Sequence, residues 1–218
     1  MRLSLLVVPA LLSLAVNAYA QSGGTVQTSA PAAPREGVVS QVIPEISYLS
    51  STWIAEDAPS LKSKPGLGAG VRIEMGRSNG VFETGLLYRQ YGTTASNRGL
   101  EEEANFNYLV VPVLAKYYFN GQEQGGLFIK GGLMPSLLVS KEYKQTYAGR
   151  TYSTSDLSNV SSVVLDATVG MGFSASLNPT TNFVFDAGYV RGMTSVTSSG
   201  RTVTNSVFNI GVGIGFLM

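Results

Sequence analysis

The sequence predicts an all-β chain that closes into an eight-stranded, antiparallel, up-and-down transmembrane β-barrel with short periplasmic turns and four longer extracellular loops. Three observations carry this expectation. Apolar and polar residues alternate with a period of two along most of the chain, which places each set on its own face of a strand. The connections between these segments are alternately short and long. Strand charges fall mostly on the parity opposite the apolar one.

Composition agrees and excludes much else. Of 218 residues, 44% are apolar and 13% charged, with no Cys and no His; ordinary domains carry about 25% charge. Without His or Cys there is no Ser-His-Asp or Cys-His dyad, no zinc site of the usual ligands, no His- or Cys-ligated haem and no disulfide. A net charge of +1 gives no field that would draw nucleic acid. No cofactor and no metal site is expected. Gly66 to Gly70 alternates within a strand and opens no helix, so it is no phosphate loop. The acidic run Glu101-Glu102-Glu103 reads as a solvated loop, since a hard cation needs several converging oxygens.

The N-terminus reads as an address. Arg2 precedes an apolar run from Leu3 to Val16, and Asn17-Ala18-Tyr19-Ala20 ends in an A-x-A pattern. This is the order of a secretory signal peptide over 1–20, too short for a membrane span of about 20 apolar residues. Residues 21–37 are small, polar and proline-bearing, as expected of a flexible periplasmic leader, and 38–218 form the barrel domain.

Strands are expected at Val38 to Tyr48, Gly66 to Arg77, Val81 to Tyr91, Phe106 to Phe119, Leu127 to Val139, Val163 to Ser176, Phe183 to Thr194 and Ser206 to Met218. They are longer than the usual five or six residues of globular sheets, and a tilted membrane strand needs about nine to eleven. Short turns fall at Ser78 to Gly80, Asn120 to Gly126 and Leu177 to Asn182. Long polar connections fall at Leu49 to Pro65, Gly92 to Asn105, Ser140 to Ser162 and Ser195 to Asn205. Such asymmetry belongs to outer-membrane barrels, which puts both termini in the periplasm.

With the apolar parity toward lipid, the inward charges are Arg72, Arg89, Lys116 and Lys130 against Glu45, Glu74, Glu83, Asp166 and Asp186. Eight strands leave a lumen only wide enough for side chains to fill, so these nine are expected to pair as a network that closes the interior. Arg191 shares the lipid-facing parity near a loop end, where its long side chain reaches the interface. Tyr48, Trp53, Tyr88, Tyr91, Tyr108, Tyr117, Tyr118, Phe119 and Tyr189 lie near strand ends and are expected as aromatic girdles. Tyr143, Tyr147 and Tyr152 fall in a long loop, as a mobile polar segment or a contact surface.

Tyr108 to Phe119 with Gly126 to Gly132, and Leu165 to Gly172 with Phe183 to Tyr189, resemble segments of PorT-like outer-membrane β-barrel proteins, the small barrels of Gram-negative bacteria. The resemblance covers roughly Ile43 to Met218. Val110 stands where members often carry an acidic or amide residue, and Met218 stands where many outer-membrane chains end in an aromatic. It implies the barrel and its membrane, and among relatives a link to secretion or adhesion.

The filled lumen and the missing catalytic residue types imply a structural, loop-displaying or envelope-assembly accessory protein that is not an enzyme. The expected partners are outer-membrane lipid, the outer-membrane assembly machinery and an envelope or surface protein met through the long loops. The chain is expected as a monomer. The alternatives are a narrow solute or ion channel, a lipid-modifying barrel enzyme working without a His base, and a soluble periplasmic barrel binding a lipophile. The last requires the apolar parity to face inward.

Overall fold

Alternation becomes ladder from Val39 onward. The strands are β1 (Val39–Ala55), β2 (Lys62–Arg77), β3 (Gly80–Asn97), β4 (Leu100–Val110), β5 (Val113–Tyr118), β6 (Gly126–Tyr147), β7 (Arg150–Thr154), β8 (Val163–Asn178), β9 (Thr181–Gly192) and β10 (Val203–Leu217). A computed structural model describes residues 39–55, 61–97, 99–122, 125–155, 159–197 and 202–218. The expected signal peptide and leader lie outside the described residues.

Every pairing is antiparallel, and β1 closes the ring by pairing with both β2 and β10. The ring has eight staves because β4 and β5 are one stave interrupted at Val111-Pro112. Proline has no N–H for the ladder, but the register against β3 and β6 continues unshifted on both sides of the break. Val111 N still donates to Pro135 O at 3.0 Å. The strand β7 lies outside the ring and, among the described residues, pairs with β6.

The two ends differ. At one end β2 turns into β3 over Ser78 and Asn79, and β8 into β9 over Pro179 and Thr180. There β1 begins and β10 ends, with Met218 N donating to Ser40 O at 2.9 Å. At the other end the ladders run further than the alternation predicts. Pairing of β3 with β4 continues to Asn97 opposite Leu100, and that of β6 with β7 to Tyr147 opposite Arg150. Much of the expected loop sequence is therefore strand. Beyond the bilayer neither face must be apolar, so the hydropathy alternation fades while the backbone hydrogen bonds carry on. Ala148 and Gly149, with φ of 48° and 77°, form the two-residue turn with both φ positive that suits the twist of a hairpin.

The outer surface carries the belt expected for lipid. Ile46, Leu67, Val71, Leu86, Val113, Leu127, Leu133, Val169, Met171, Tyr189 and Phe208 are exposed on successive staves. In water such a continuous apolar surface would be a liability; in hydrocarbon it is the lipid-facing requirement of a spanning barrel.

Candidate functional site: a charged lumen between apolar layers

Arg72 projects from β2 into the barrel and is 1% exposed. Three carboxylates from three other strands converge on its guanidinium. Nε lies 2.5 Å from Glu45 of β1, one terminal nitrogen 3.0 Å from Glu83 of β3, and the other 2.9 Å from Asp186 of β9. Only a planar fork of five N–H donors serves three acceptors in this way.

Two ammonium groups complete the cluster. Lys116 of β5 meets Glu74 at 2.5 Å and Glu83 at 3.6 Å, and Lys130 of β6 meets Asp186 at 3.0 Å and Glu83 at 3.5 Å. Glu83 thus faces all three cations. Tyr118 donates its hydroxyl to Glu74 at 2.9 Å, and the Lys116 ammonium sits 3.6 Å from the centre of the Phe128 ring. Removing this much charge from water is costly, and close pairing offsets part of that cost; here four carboxylates meet three cations.

Of the nine charges expected in one network, seven meet: Glu45, Arg72, Glu74, Glu83, Lys116, Lys130 and Asp186. Arg89 and Asp166 also point inward and are buried, but they make no ion pair among the described residues. Arg89 stands six residues up β3 from Glu83, about 20 Å along the strand. There its guanidinium approaches the Met134 sulfur at 3.9 Å, while Asp166 accepts from Asn205 Nδ2 at 3.3 Å. Among the described residues, Arg89 Nε, Asp166 Oδ2, Asn205 Oδ1 and the Tyr108 hydroxyl are buried without a hydrogen-bond partner.

Apolar layers lie on both sides of the charges. Toward the short turns are Ile43, Val81, Tyr118, Phe128 and Val184. Toward the long ribbons are Leu49, Leu87, Tyr91, Phe106, Tyr108, Val110 and their neighbours, with Trp53 packed on Phe106 at a ring distance of 4.9 Å. This corrects the expected girdles. Tyr48, Tyr88, Tyr117, Phe119 and Tyr189 are exposed on the outer face, but Tyr91, Tyr108 and Tyr118 are buried in the lumen. The three share parity with Arg89 or Lys116, a signal that aromatic type alone obscures.

The acidic run is also corrected. It belongs to β4, whose pleat sends Glu102 inward to accept from Tyr143 at 2.5 Å and Gln145 at 2.9 Å. Glu103 points the other way, toward Lys64 at 2.6 Å. The carboxylates do not converge. Arg191 is exposed on the outer face, two residues above Tyr189.

A closed ring of eight staves, apolar outside and charged within, defines an integral outer-membrane β-barrel protein located in the cell outer membrane. The family described as "Outer membrane protein beta-barrel domain" matches residues 39–198, and the chain belongs to it. Among solved structures, the outer membrane protein OprG from Pseudomonas aeruginosa is similar with 14% identity and a TM-score of 0.50, over 84% of this chain and 96% of that one. Neisserial surface protein A is similar at 14% identity and a TM-score of 0.46, over 82% and 98%. Ail of Yersinia pestis is similar at 15% and 0.44, over 81% and 99%. These likenesses concern the fold. No curated protein matches the chain in sequence. Membership and the outward apolar belt remove the soluble lipophile-binding reading, since Arg72, Glu74, Glu83 and Arg89 all face the interior.

Proposed function

We propose that the barrel is a closed, non-conducting scaffold that holds its extracellular ribbons for contact with another envelope or surface protein. The observation that carries this reading is the lumen: Arg72 clamped to Glu45, Glu83 and Asp186, between two apolar layers. The β6–β7 hairpin supports the contact role, because Tyr147 and Tyr152 stand exposed on it above the lipid belt and aromatic side chains favour interfaces. The assembly machinery of the membrane and the surrounding lipid are the other partners of this reading, with the chain acting as a monomer and no chemistry of its own. The resemblance to PorT-like proteins fits such an accessory place.

A narrow channel is the second reading, favoured by the unpartnered polar atoms of Arg89, Asp166, Tyr108 and Asn205, which water would satisfy. Planar-bilayer recording separates the two. The purified barrel is expected to be silent; reproducible current steps altered by Arg72→Gln or Glu83→Gln would overturn the plug. A photo-crosslinker at Tyr152 is expected to capture an envelope protein in cells, with one at Leu133 in the lipid belt as control. Equal yields at both positions would overturn the contact role.

A further inference from the structure

On the outer surface of β1, β2 and β3, one small side chain lies between larger ones. Ala69 is paired with Ile46 of β1 and Tyr88 of β3, and Leu67 next along β2 is paired with Tyr48. The step down to Ala69 leaves an apolar furrow of about 500 Å³, whose upper end is Gln90. Gln90 also lines a second hollow, of about 540 Å³ and polar, with Lys64, Glu103, Asn105, Asn107 and Lys144. The furrow and the hollow therefore meet at one residue, where the lipid belt gives way to the extracellular ribbon.

Three features build the hollow. The register of β2 against β3 shifts between Ser63 and Gly68, and this bulge turns Lys64 outward although Gly68, Gly70 and Arg72 of the same parity face in. Gly92 of β3 then lets the Lys64 stem cross it: a Cβ there would sit 2.9 Å from Lys64 Cδ and 3.3 Å from Asn105 Oδ1. Across that gap Lys64 reaches β4, donating to Glu103 Oε1 at 2.6 Å and to Asn105 Oδ1, while Asn105 Nδ2 donates to the same Glu103 oxygen at 2.9 Å. An ammonium has three N–H donors, so one is left to face the hollow. On the far side Lys144 is held by Glu142 at 3.0 Å.

We propose that this surface binds one phosphorylated glycolipid of the extracellular leaflet, its acyl chain in the furrow over Ala69 and its headgroup in the hollow between Lys64 and Lys144. The furrow is continuous with the lipid-facing belt, so a bilayer chain already lies against it, and the headgroup of that chain must come to rest where the hollow begins. The amides of Gln90, Asn105 and Asn107 offer donors and acceptors together, which suits sugar hydroxyls. The two ammonium groups suit a phosphate, with charge-assisted hydrogen bonds stronger than neutral ones. Their present ion pairs lie at the surface and contribute little, so sharing the ammonium groups with a phosphate costs little. None of this depends on whether the lumen conducts.

The test is native mass spectrometry of the purified barrel in micelles, offered an acylated, phosphorylated glucosamine disaccharide, its dephosphorylated form, or phosphatidylglycerol. The expected result is one phosphorylated glycolipid retained per barrel, with both other lipids lost at lower collision energy. Lys64→Gln with Lys144→Gln is expected to lower retention at least about tenfold, the loss of one charge-assisted bond. Ala69→Trp, which fills the furrow, is expected to do the same. Heat-modifiable migration checks folding, and the lysine variants lie outside the belt should Ala69→Trp fail to insert. Equal retention of the three lipids, or unchanged retention in the double lysine variant, would overturn the proposal.

Discussion

Arg72 and Asp186 are 114 residues apart in the chain, and their side chains meet at 2.9 Å across the barrel interior. Their strands, β2 and β9, are not neighbours in the ring, so the contact braces the barrel across its width, where the backbone ladders do not reach. Replacing Arg72 by Met leaves Glu45, Glu83 and Asp186 facing one another with only Lys116 and Lys130 to balance them. Breaking a buried ion pair from one side costs about 3–5 kcal/mol. The urea midpoint of the barrel folded into lipid vesicles is expected to fall accordingly, with Arg72→Lys intermediate because a compact ammonium keeps the charge but cannot span three carboxylates as the guanidinium fork does. Lys64→Met is the contrast. Its pair with Glu103 has side chains 21% and 37% exposed, and such pairs contribute at most about 1 kcal/mol. Equal midpoints for Arg72→Met and the parent protein would refute the bracing role.

Tyr117 and Tyr118 are adjacent in sequence and opposite in environment. Tyr117 is 48% exposed on the lipid face, and Tyr118 is 0% exposed with its hydroxyl on Glu74. Tyr118→Phe removes a donor from a buried carboxylate, at about 1.5–3 kcal/mol for a bond to a charged group. Tyr117→Phe is expected to leave the unfolding midpoint where it was. The same titration in vesicles reads both. A larger effect at Tyr117 would mean that the stave is rotated by one residue.

The rotation itself was legible from charge. Arg72, Glu83, Lys116 and Lys130 sit opposite the apolar parity, and a one-residue slip would drive them all into lipid, so the pattern had one physical solution. What alternation could not carry was the upper barrel. Thr93, Ala104, Tyr143 and Gln145 lie on ladders that no longer need an apolar outside, and the bulges at Ser63/Gly68 and Asn107/Tyr108 reverse the parity there. Grouping Arg89 and Asp166 with the other charges failed for a related reason. Parity reports the face of a strand and says nothing of height along it, and the relative stagger of distant strands is set by barrel closure.

Depth in the bilayer gives the next expectation. Met171 lies near the middle of β8 and is 65% exposed on the outer face. Arg in its place would stand near the bilayer midplane, where such a charge costs about 2–4 kcal/mol. Gln90→Arg, at the upper edge of the belt, is expected to cost no more than about 1 kcal/mol, since the penalty falls toward the interface. Reversible folding into vesicles measures both. A reversed order of cost would displace the membrane relative to the belt described above.

Acid should loosen the extracellular ribbon through Glu103. Glu103 lies on the part of β4 above the belt, and hydrogen bonds from Lys64, then from Asn105, hold its carboxyl below the ordinary value. A folded pKa below the unfolded one means that the unfolded ribbon binds more protons, so stability falls as pH falls. The contribution is complete above the ordinary Glu value of about 4.3 and disappears as pH drops through the lower folded value. With the Glu103 side chain 37% exposed, solvent screening keeps the effect small, at most about 1 kcal/mol. Hydrogen exchange of the β3–β4 ribbon is therefore expected to be faster in Glu103→Gln than in the parent protein at neutral pH. The two should converge as the pH is lowered past the folded value, because protonation then removes from the parent what the substitution has already removed. A difference that persisted undiminished in acid would show that the substitution acts through packing, and that the Lys64 contact contributes nothing through charge.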